Sequence, residues 1–166
     1  TIKILIKLLV IKMVASSFLG RSNNVVTKEL FFDSSASFNI VFESGIDNYT
    51  KARLVKILKK SSIAFASSSK PISGQTNVLI GINNSRGIAD KYFNKYVSHK
   101  ESFFDNNDSH IVSVKNNAIA VLGRNADSAF YGVTTLKHVF NQIEDNEIQE
   151  FQINDFSHVK HRGFIE

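Results

Sequence analysis

The sequence contains no cysteine, no tryptophan and a single proline, Pro71, in 166 residues. Without cysteine, disulfide bonds, thiolate metal sites and a cysteine nucleophile are all excluded. The eight glycines do not form the phosphate-binding patterns G-x-G-x-x-G or G-x-x-x-x-G-K-[ST], nor the serine-nucleophile pattern G-x-S-x-G. The residues therefore indicate a globular domain without any of these catalytic or nucleotide-binding motifs.

The excess of basic residues is confined to one end of the chain. The formal charge is +5, but residues 1–21 hold four basic residues and no acidic one, while the remaining 16 basic residues face 15 acidic ones. A surface that stacks single-stranded nucleic acid would have aromatic residues between its basic ones, and the basic run at residues 51–60 has none. This run is therefore expected on a solvated helix face. No nucleic-acid partner is therefore expected.

The titratable residues do not cluster along the sequence. The five histidines are scattered, and the closest pair, His158 and His161, has no second group of ligands beside it. Glu144, Asp145 and Glu147 follow a predicted helix, in a polar connection where carboxylates are normally solvated rather than used in acid–base chemistry. We therefore expect no catalytic residue, no metal site and no cofactor in this chain.

Residues 1–24 form an apolar segment with an early basic character. Ala15, Ser16 and Ser17 supply small residues where a signal peptidase could cut, which favours a signal-like segment and a secreted protein. Lys12 interrupts the apolar run, so that it falls short of the about 18 uncharged residues that a membrane-spanning helix needs. No stable membrane span is expected; a first strand or helix of the domain, or a reading-frame artefact, is the alternative origin of the segment.

The next part of the chain alternates strand and helix patterns. "VVTKELFFD" and "SFNIVFE" are rich in β-branched and aromatic residues and predict strands. Asp47 precedes a segment in which Leu54, Val55 and Leu58 recur at helical spacing, which predicts a first helix. "ASSSKPISGQT" is a predicted linker loop, and the continuous apolar run "NVLIGI" predicts a strand covered on both faces. A short helix is expected around residues 88–97.

The last third of the chain carries the clearest local signals. Two β-type runs flank "KNN", and because asparagine tolerates positive φ, they predict a hairpin from His110 to Leu122. Asn125 is expected to cap a helix at 126–141, in which Gly132 is tolerable if it lets the helix approach a sheet closely. "EIQEFQIND" is then predicted as one strand. These patterns predict an α+β fold, a mixed β-sheet covered by about two main helices.

Two stretches near the end of the chain resemble a domain junction in glycoside hydrolase family 84. The first is the strand "IAVLGR" followed by a D-x-x-F-Y-G-V-x-T-L-K helix, and the second is the strand "RGFIE". In that family a domain of the β-hexosaminidase accessory type precedes a (β/α)8 catalytic barrel. Within the family, these two stretches are most similar to those of the secreted bacterial hyaluronidase-type β-N-acetylglucosaminidases. The helix motif consists of Asp127, Phe130, Tyr131, Gly132, Val133, Thr135, Leu136 and Lys137.

The resemblance implies three segments: the signal-like or divergent residues 1–24, an accessory domain at 25–156, and the first strand of a catalytic barrel at 157–166. It implies retaining, substrate-assisted hydrolysis of β-linked N-acetylglucosamine, with a pair of catalytic aspartates beyond Glu166. The implied partners are the protein's own barrel and an N-acetylglucosamine-containing glycan. Because barrel sites form at the C-terminal ends of strands, Glu166 is the candidate substrate-binding residue of the full-length enzyme, with a structural role as the alternative.

Two other hypotheses remain open at this stage. One is an inactive, truncated gene product. The other is a stand-alone carbohydrate-binding module, which would need exposed aromatic side chains; most aromatics are expected in the core, and tryptophan is absent. The aromatic residues available for such a surface are Tyr49, Tyr92, Phe93, Tyr96, Phe103 and Phe104.

Overall fold

A computed structural model describes residues 29–31, 37–141 and 147–157. The strands in this part of the chain are β1 (Glu29–Phe31), β2 (Phe38–Phe42), β3 (Phe65–Ser67), β4 (Asn77–Ile82), β5 (His110–Lys115), β6 (Ala118–Gly123), β7 (Glu147–Gln149) and β8 (Phe151–Asp155). The helices are α1 (Asn48–Lys60), α2 (Ile88–Tyr96) and α3 (Ala126–Phe140), with a 3₁₀ turn at Glu101–Asp105.

Six of the strands form one mixed sheet in the order β3-β2-β4-β6-β5-β8. β3, β2, β4 and β6 run parallel, whereas β5 is antiparallel to both of its neighbours, β6 and β8. β1 and β7 pair with each other in a separate antiparallel ribbon. The predicted α+β class and mixed sheet are confirmed.

Helices cover both faces of the six-stranded sheet. α1 and α3 pack on one face, over a core that includes Ile40, Ile80 and Leu136. α2 packs on the other face with the 3₁₀ turn, over a core that includes Leu79 and Phe93. The expected pair of main helices is therefore present on one face, and the predicted short helix is a third element on the other. "NVLIGI" is β4, covered on both faces as predicted.

The local signals for turns and caps are confirmed. Asn116 and Asn117 have φ values of 50° and 58°, and they connect β5 and β6 into the predicted hairpin. The side chain of Asp47 accepts a hydrogen bond from the Thr50 amide, and that of Asn125 accepts one from the Ser128 amide. Each of these side chains satisfies an amide that the first helical turn would otherwise leave unpaired.

Gly132 lies on α3 where the helix crosses β5 and β6. A Cβ atom at this position would collide with Cγ1 of Val121 and would lie 3.3 Å from Cδ2 of His110. The helix and the sheet therefore approach more closely than any side chain at this position would allow, which is the close approach predicted for this glycine.

The prediction of a single strand in "EIQEFQIND" is wrong. The segment forms β7, which pairs with β1, and β8, which pairs with β5, so the chain changes partner at Glu150. The Glu150 side chain is turned inward, and its Oε1 accepts a hydrogen bond from the Asn116 amide in the hairpin turn at 3.3 Å. "ASSSKPISGQT" also differs from the prediction of a plain linker, because its first residues belong to β3.

Two predicted segments fall outside the described residues. These are the signal-like segment 1–24 and the barrel-entry strand "RGFIE". Within residues 29–31, 37–141 and 147–157, no helix combines the length and the apolar character that a bilayer span requires.

Candidate functional site

A buried carboxylate lies at the edge of the sheet where β2 and β4 end. Glu43 directly follows β2, is 9% exposed, and reaches across to β4 and to the beginning of α2. Its Oε2 accepts hydrogen bonds from the Ile82 amide at 3.2 Å and the Ser85 hydroxyl at 2.6 Å. Its Oε1 accepts from the Ala89 amide at 2.8 Å and the Asp90 amide at 3.2 Å. Glu43 thus provides the cap that the first residues of α2 lack locally.

Glycines make room for this carboxylate. A Cβ atom at either Gly81 or Gly87 would collide with the Glu43 carboxylate group. Gly87 is also the N-cap residue of α2 and supplies no capping side chain of its own. The negative charge of Glu43 lies against the positive end of the α2 dipole, which is its stabilising position.

Asp90 extends the same network into the turn before α2. Its carboxylate accepts hydrogen bonds from the Arg86 amide at 2.8 Å and the Asn84 amide at 3.3 Å. Asn84 and Arg86 both have positive φ, at 59° and 60°, so the turn is a strained one that these bonds hold in place. Every oxygen of Glu43 and Asp90 has a donor within the domain, and the arrangement fixes a turn rather than presenting a free acid or base.

A second buried polar group is His110, at the start of β5 beneath α3. Its Nδ1 lies 3.0 Å from the Asp108 carbonyl oxygen, which can only accept, so Nδ1 carries the proton. Its Nε2 lies 3.2 Å from Oγ1 of Thr135 and 3.8 Å from Oδ2 of Asp155. Burial lowers the pKa of the His110 imidazole below its ordinary value, and it outweighs the opposing effects of the Asp108 carbonyl and of the Asp155 and Asp108 carboxylates.

We expect His110 to make the stability of the domain fall in acid. Since its pKa is lower in the folded chain than in the unfolded chain, the unfolded chain binds more protons at a pH between the two pKa values. Stability is therefore complete above about pH 6.5, the ordinary histidine pKa, and decreases below it by at most about 1.4 kcal/mol per pH unit. Urea unfolding between pH 5 and pH 8 measures this slope.

The matched control for this prediction is His138, which lies on α3. His110→Gln should flatten the pH dependence between pH 5 and pH 6.5, while His138→Gln, which changes a partly exposed side chain, should leave the slope in place. An unchanged slope in the His110→Gln variant would show that another group is responsible.

At the other end of β2 and β4, near the start of each strand, two asparagines hold the loop that follows β3. Nδ2 of Asn39, on β2, donates to Oδ1 of Asn77 at 2.8 Å and to the Lys70 carbonyl at 3.0 Å. Asn77, the first residue of β4, bonds both the amide and the carbonyl of Ile72, at 2.8 Å and 3.0 Å. Ser68 Oγ donates to Asn39 Oδ1 at 2.7 Å. The loop containing Pro71 is therefore fixed to the sheet by side-chain hydrogen bonds.

This loop forms one wall of an open groove of about 430 Å³. Residues of α2 form the other wall, and the β5–β6 turn completes the lining. Tyr92 lies at the base; burial raises its pKa, and its hydroxyl donates to the Lys115 carbonyl at 2.7 Å. The other polar residues around the groove are Ser73, Gln75, Asn77, Lys91, Lys95, Tyr96, Asn116 and Asn117. We call this feature the α2 groove.

Of the carboxylates that the sequence offered for chemistry, Glu147 is the first residue of β7. Glu166, His158 and His161 lie outside the described residues, as do Glu144 and Asp145. Among the described residues, no three histidine, aspartate or glutamate side chains come close enough to share a metal ion.

The aromatic residues considered as a stacking surface are mostly internal. Tyr92, Phe93 and Phe104 are buried, whereas Tyr49, on the first turn of α1, is 84% exposed. Tyr96 and Phe103 are partly buried against these neighbours. The exposed flat aromatic surface that a typical sugar-stacking module would offer is therefore absent from these six side chains.

The predictions from sequence did not include the polar residues at the two ends of β2 and β4. Glu43 follows a strand directly, and Asn39 and Asn77 lie near the starts of parallel strands. A polar residue at the end of a buried parallel strand was the available signal, because such strand ends meet at one edge of a sheet.

Comparison with known proteins identifies the family. A family model described as glycosyl hydrolase family 20, domain 2, matches residues 22–156. The solved structure of CpGH84D aligns with 87% of this chain at 46% sequence identity and a TM-score of 0.80. This chain spans 24% of the length of CpGH84D. No curated protein sequence matches the chain.

More distant structures show the fold alone. CpGH84B aligns with 80% of this chain at 21% identity and a TM-score of 0.58, and the chain spans 20% of it. A family 20 exo-β-N-acetylglucosaminidase from Vibrio harveyi aligns with 85% at 16% identity and a TM-score of 0.51, and the chain spans 19% of it. With the family match over residues 22–156 and the likeness to CpGH84D, the chain belongs to the glycosyl hydrolase family 20, domain 2 family and is an accessory domain of the hexosaminidase-type glycoside hydrolases.

Proposed function

We propose that this domain is the non-catalytic support of a glycoside hydrolase that cleaves β-linked N-acetylglucosamine. The observation that carries the proposal is the alignment with CpGH84D, which takes in most of this chain and only 24% of that protein. The described residues agree with a supporting role, since the carboxylates of Glu43 and Asp90 are engaged by donors within the domain. The partner of the domain would be the catalytic barrel of the same polypeptide.

The proposed reaction is retaining hydrolysis assisted by the substrate. The acetamido oxygen of the substrate attacks the anomeric carbon, and two aspartates of the barrel orient that group and protonate the leaving oxygen. No residue of this chain supplies those aspartates in our proposal. We also propose that residues 157–166 form the first strand of the barrel and that Glu166 lies near the sugar site in the longer protein. We also propose that the protein is exported, on the signal-like character of residues 1–24.

Hydrolysis of 4-nitrophenyl N-acetyl-β-D-glucosaminide tests the proposal. The 166-residue chain is compared with the polypeptide encoded by the longest open reading frame that contains it. We expect nitrophenol release by the longer polypeptide only. Turnover by the 166-residue chain would overturn the non-catalytic role, and an inactive longer polypeptide would overturn the assignment to this reaction.

A further inference from the structure

We propose that the α2 groove binds an anionic oligosaccharide. The proposal deepens the proposed function, because it assumes that the protein acts on glycans. At about 430 Å³ the groove falls within the roughly 300–1,000 Å³ typical of ligand-binding clefts.

Two lysines give the groove a positive charge. Lys91 and Lys95 point along one wall from successive turns of α2, and both are exposed. Neither forms an ion pair with any carboxylate of the described residues, and the lining itself holds no acidic side chain. The carboxylate of Glu150 is buried and accepts a hydrogen bond from the Asn116 amide. The groove therefore offers two cationic side chains that no carboxylate of the described residues neutralises.

Most of the exposed surface of the groove is apolar, and the polar groups within it suit a sugar better than other anions. The side-chain amides of Gln75 and Asn116 hydrogen-bond to no other described residue, and each offers both a donor and an acceptor to hydroxyl groups. The lining contains lysines and no arginine, so it lacks the bidentate group that suits phosphate best. Point charges spaced along a groove fit carboxylates or sulfates spaced along a glycan.

The aromatic geometry argues against single-stranded nucleic acid. Such ligands need open aromatic faces on which successive bases stack. Here the ring of Tyr96 is tilted against Tyr92, with centroids 5.4 Å apart, and Nζ of Lys95 lies 4.8 Å from its centroid. The aromatic residues of the groove thus form its base and position a lysine.

The groove is also pre-organised. Asn77 bonds both backbone groups of Ile72, and Asn117 Nδ2 donates to the Gln75 carbonyl at 3.0 Å, so the loop wall is tied to the sheet and to the hairpin turn. A ligand would not have to order this wall, which removes one cost of binding. β8 ends at Asp155, which pairs with His110 at the start of β5. This is the end of β5 away from the hairpin turn, so the groove lies at the opposite end of that strand.

The experiment uses the 166-residue chain and nuclear magnetic resonance titration. The probe is an octasaccharide of alternating N-acetylglucosamine and glucuronic acid, and the neutral comparison is an N-acetylglucosamine oligomer of the same length. We expect saturable shifts of the Gln75, Lys91 and Asn116 amides with the acidic probe, and at least about tenfold weaker binding of the neutral one. Absence of saturable shifts, or equal affinity for both, would overturn the proposal.

Matched variants separate the site from general charge. Lys91→Gln/Lys95→Gln should raise the Kd for the acidic probe by about tenfold. Lys56→Gln/Lys59→Gln removes the same charge from exposed positions on α1, on the other face of the sheet, and should change the Kd by less than about twofold. Equal loss in both variants, or equally tight binding of an oligothymidine of the same charge, would overturn a glycan site. Because binding is measured without turnover, its failure leaves the hydrolysis proposal intact.

Discussion

Replacing Glu43 with glutamine is expected to lower the free energy of unfolding by about 3 kcal/mol. The carboxylate accepts four hydrogen bonds, from Ile82, Ser85, Ala89 and Asp90, inside a site that is almost closed to water. A glutamine would lose the favourable charge at the end of α2 and would turn an NH₂ group toward backbone N–H donors. Urea unfolding measures the loss, and calorimetry should show a midpoint lower by roughly 10 °C.

Glu101→Gln is the matched control, since it removes the same charge from an exposed residue of the same neighbourhood. Glu101 accepts one hydrogen bond, from Asn84 Nδ2 at 3.0 Å, and its replacement should change stability by less than about 0.5 kcal/mol. Gly87→Ala should be costly with Glu43 present and much less costly in a Glu43→Ala background, because the added methyl group meets that carboxylate. A Glu43→Gln variant as stable as the parent chain would contradict the role given to this network.

Gly132→Ala is expected to destabilise the domain by about 2 kcal/mol, although alanine has the higher helix propensity. In a solvent-exposed helix the exchange would gain about 1 kcal/mol. Here the added Cβ would collide with Val121, which lies within β6 and is fully buried, and would press on the ring edge of His110. α3 must then move away from the sheet and give up contacts along its whole buried face. Urea unfolding measures the difference.

The double variant Val121→Ala/Gly132→Ala tests whether this contact is the cause. Truncation of Val121 removes the Cγ1 atom that the new methyl group would meet. The cost of Gly132→Ala should therefore shrink markedly in the Val121→Ala background, a coupling that a double-mutant cycle reports. If the cost is the same in both backgrounds, the close approach of helix and sheet is not its origin.

Local chemistry explains what the sequence predicted well. The hairpin depended on two consecutive asparagines that both adopt positive φ, and the start of α3 depended on the Asn125 side chain. Each of these features is decided within about four residues along the chain. The resemblance to family 84 likewise rested on a contiguous helix motif, and the family match over residues 22–156 confirms the accessory-domain interpretation.

Long-range pairing explains which features could not be predicted from the sequence. "EIQEFQIND" has uniform β character, and only the arrival of β1 beside β7 and of β5 beside β8 divides it at Glu150. The capping role of Glu43 needs α2 to be placed 46 residues further along the chain, as the bond to Ala89 shows. Helix capping is usually read from the residues next to the helix, so no local pattern indicates a cap from a distant strand. The α2 groove, similarly, exists only once loop, helix and hairpin turn have assembled.

The strand order also determines when folding can be completed during synthesis. Pairing of β5 with β6 is local and can form early, but β8 is the only neighbour of β5 on its other side, and it lies at the end of the described chain. β1 must likewise wait for β7 to emerge. Until then β5, with buried Ile111, Val112 and Val114, presents an unpaired apolar edge, the kind of edge that promotes aggregation. The domain is therefore most exposed to aggregation during synthesis, before β8 has emerged and paired with β5.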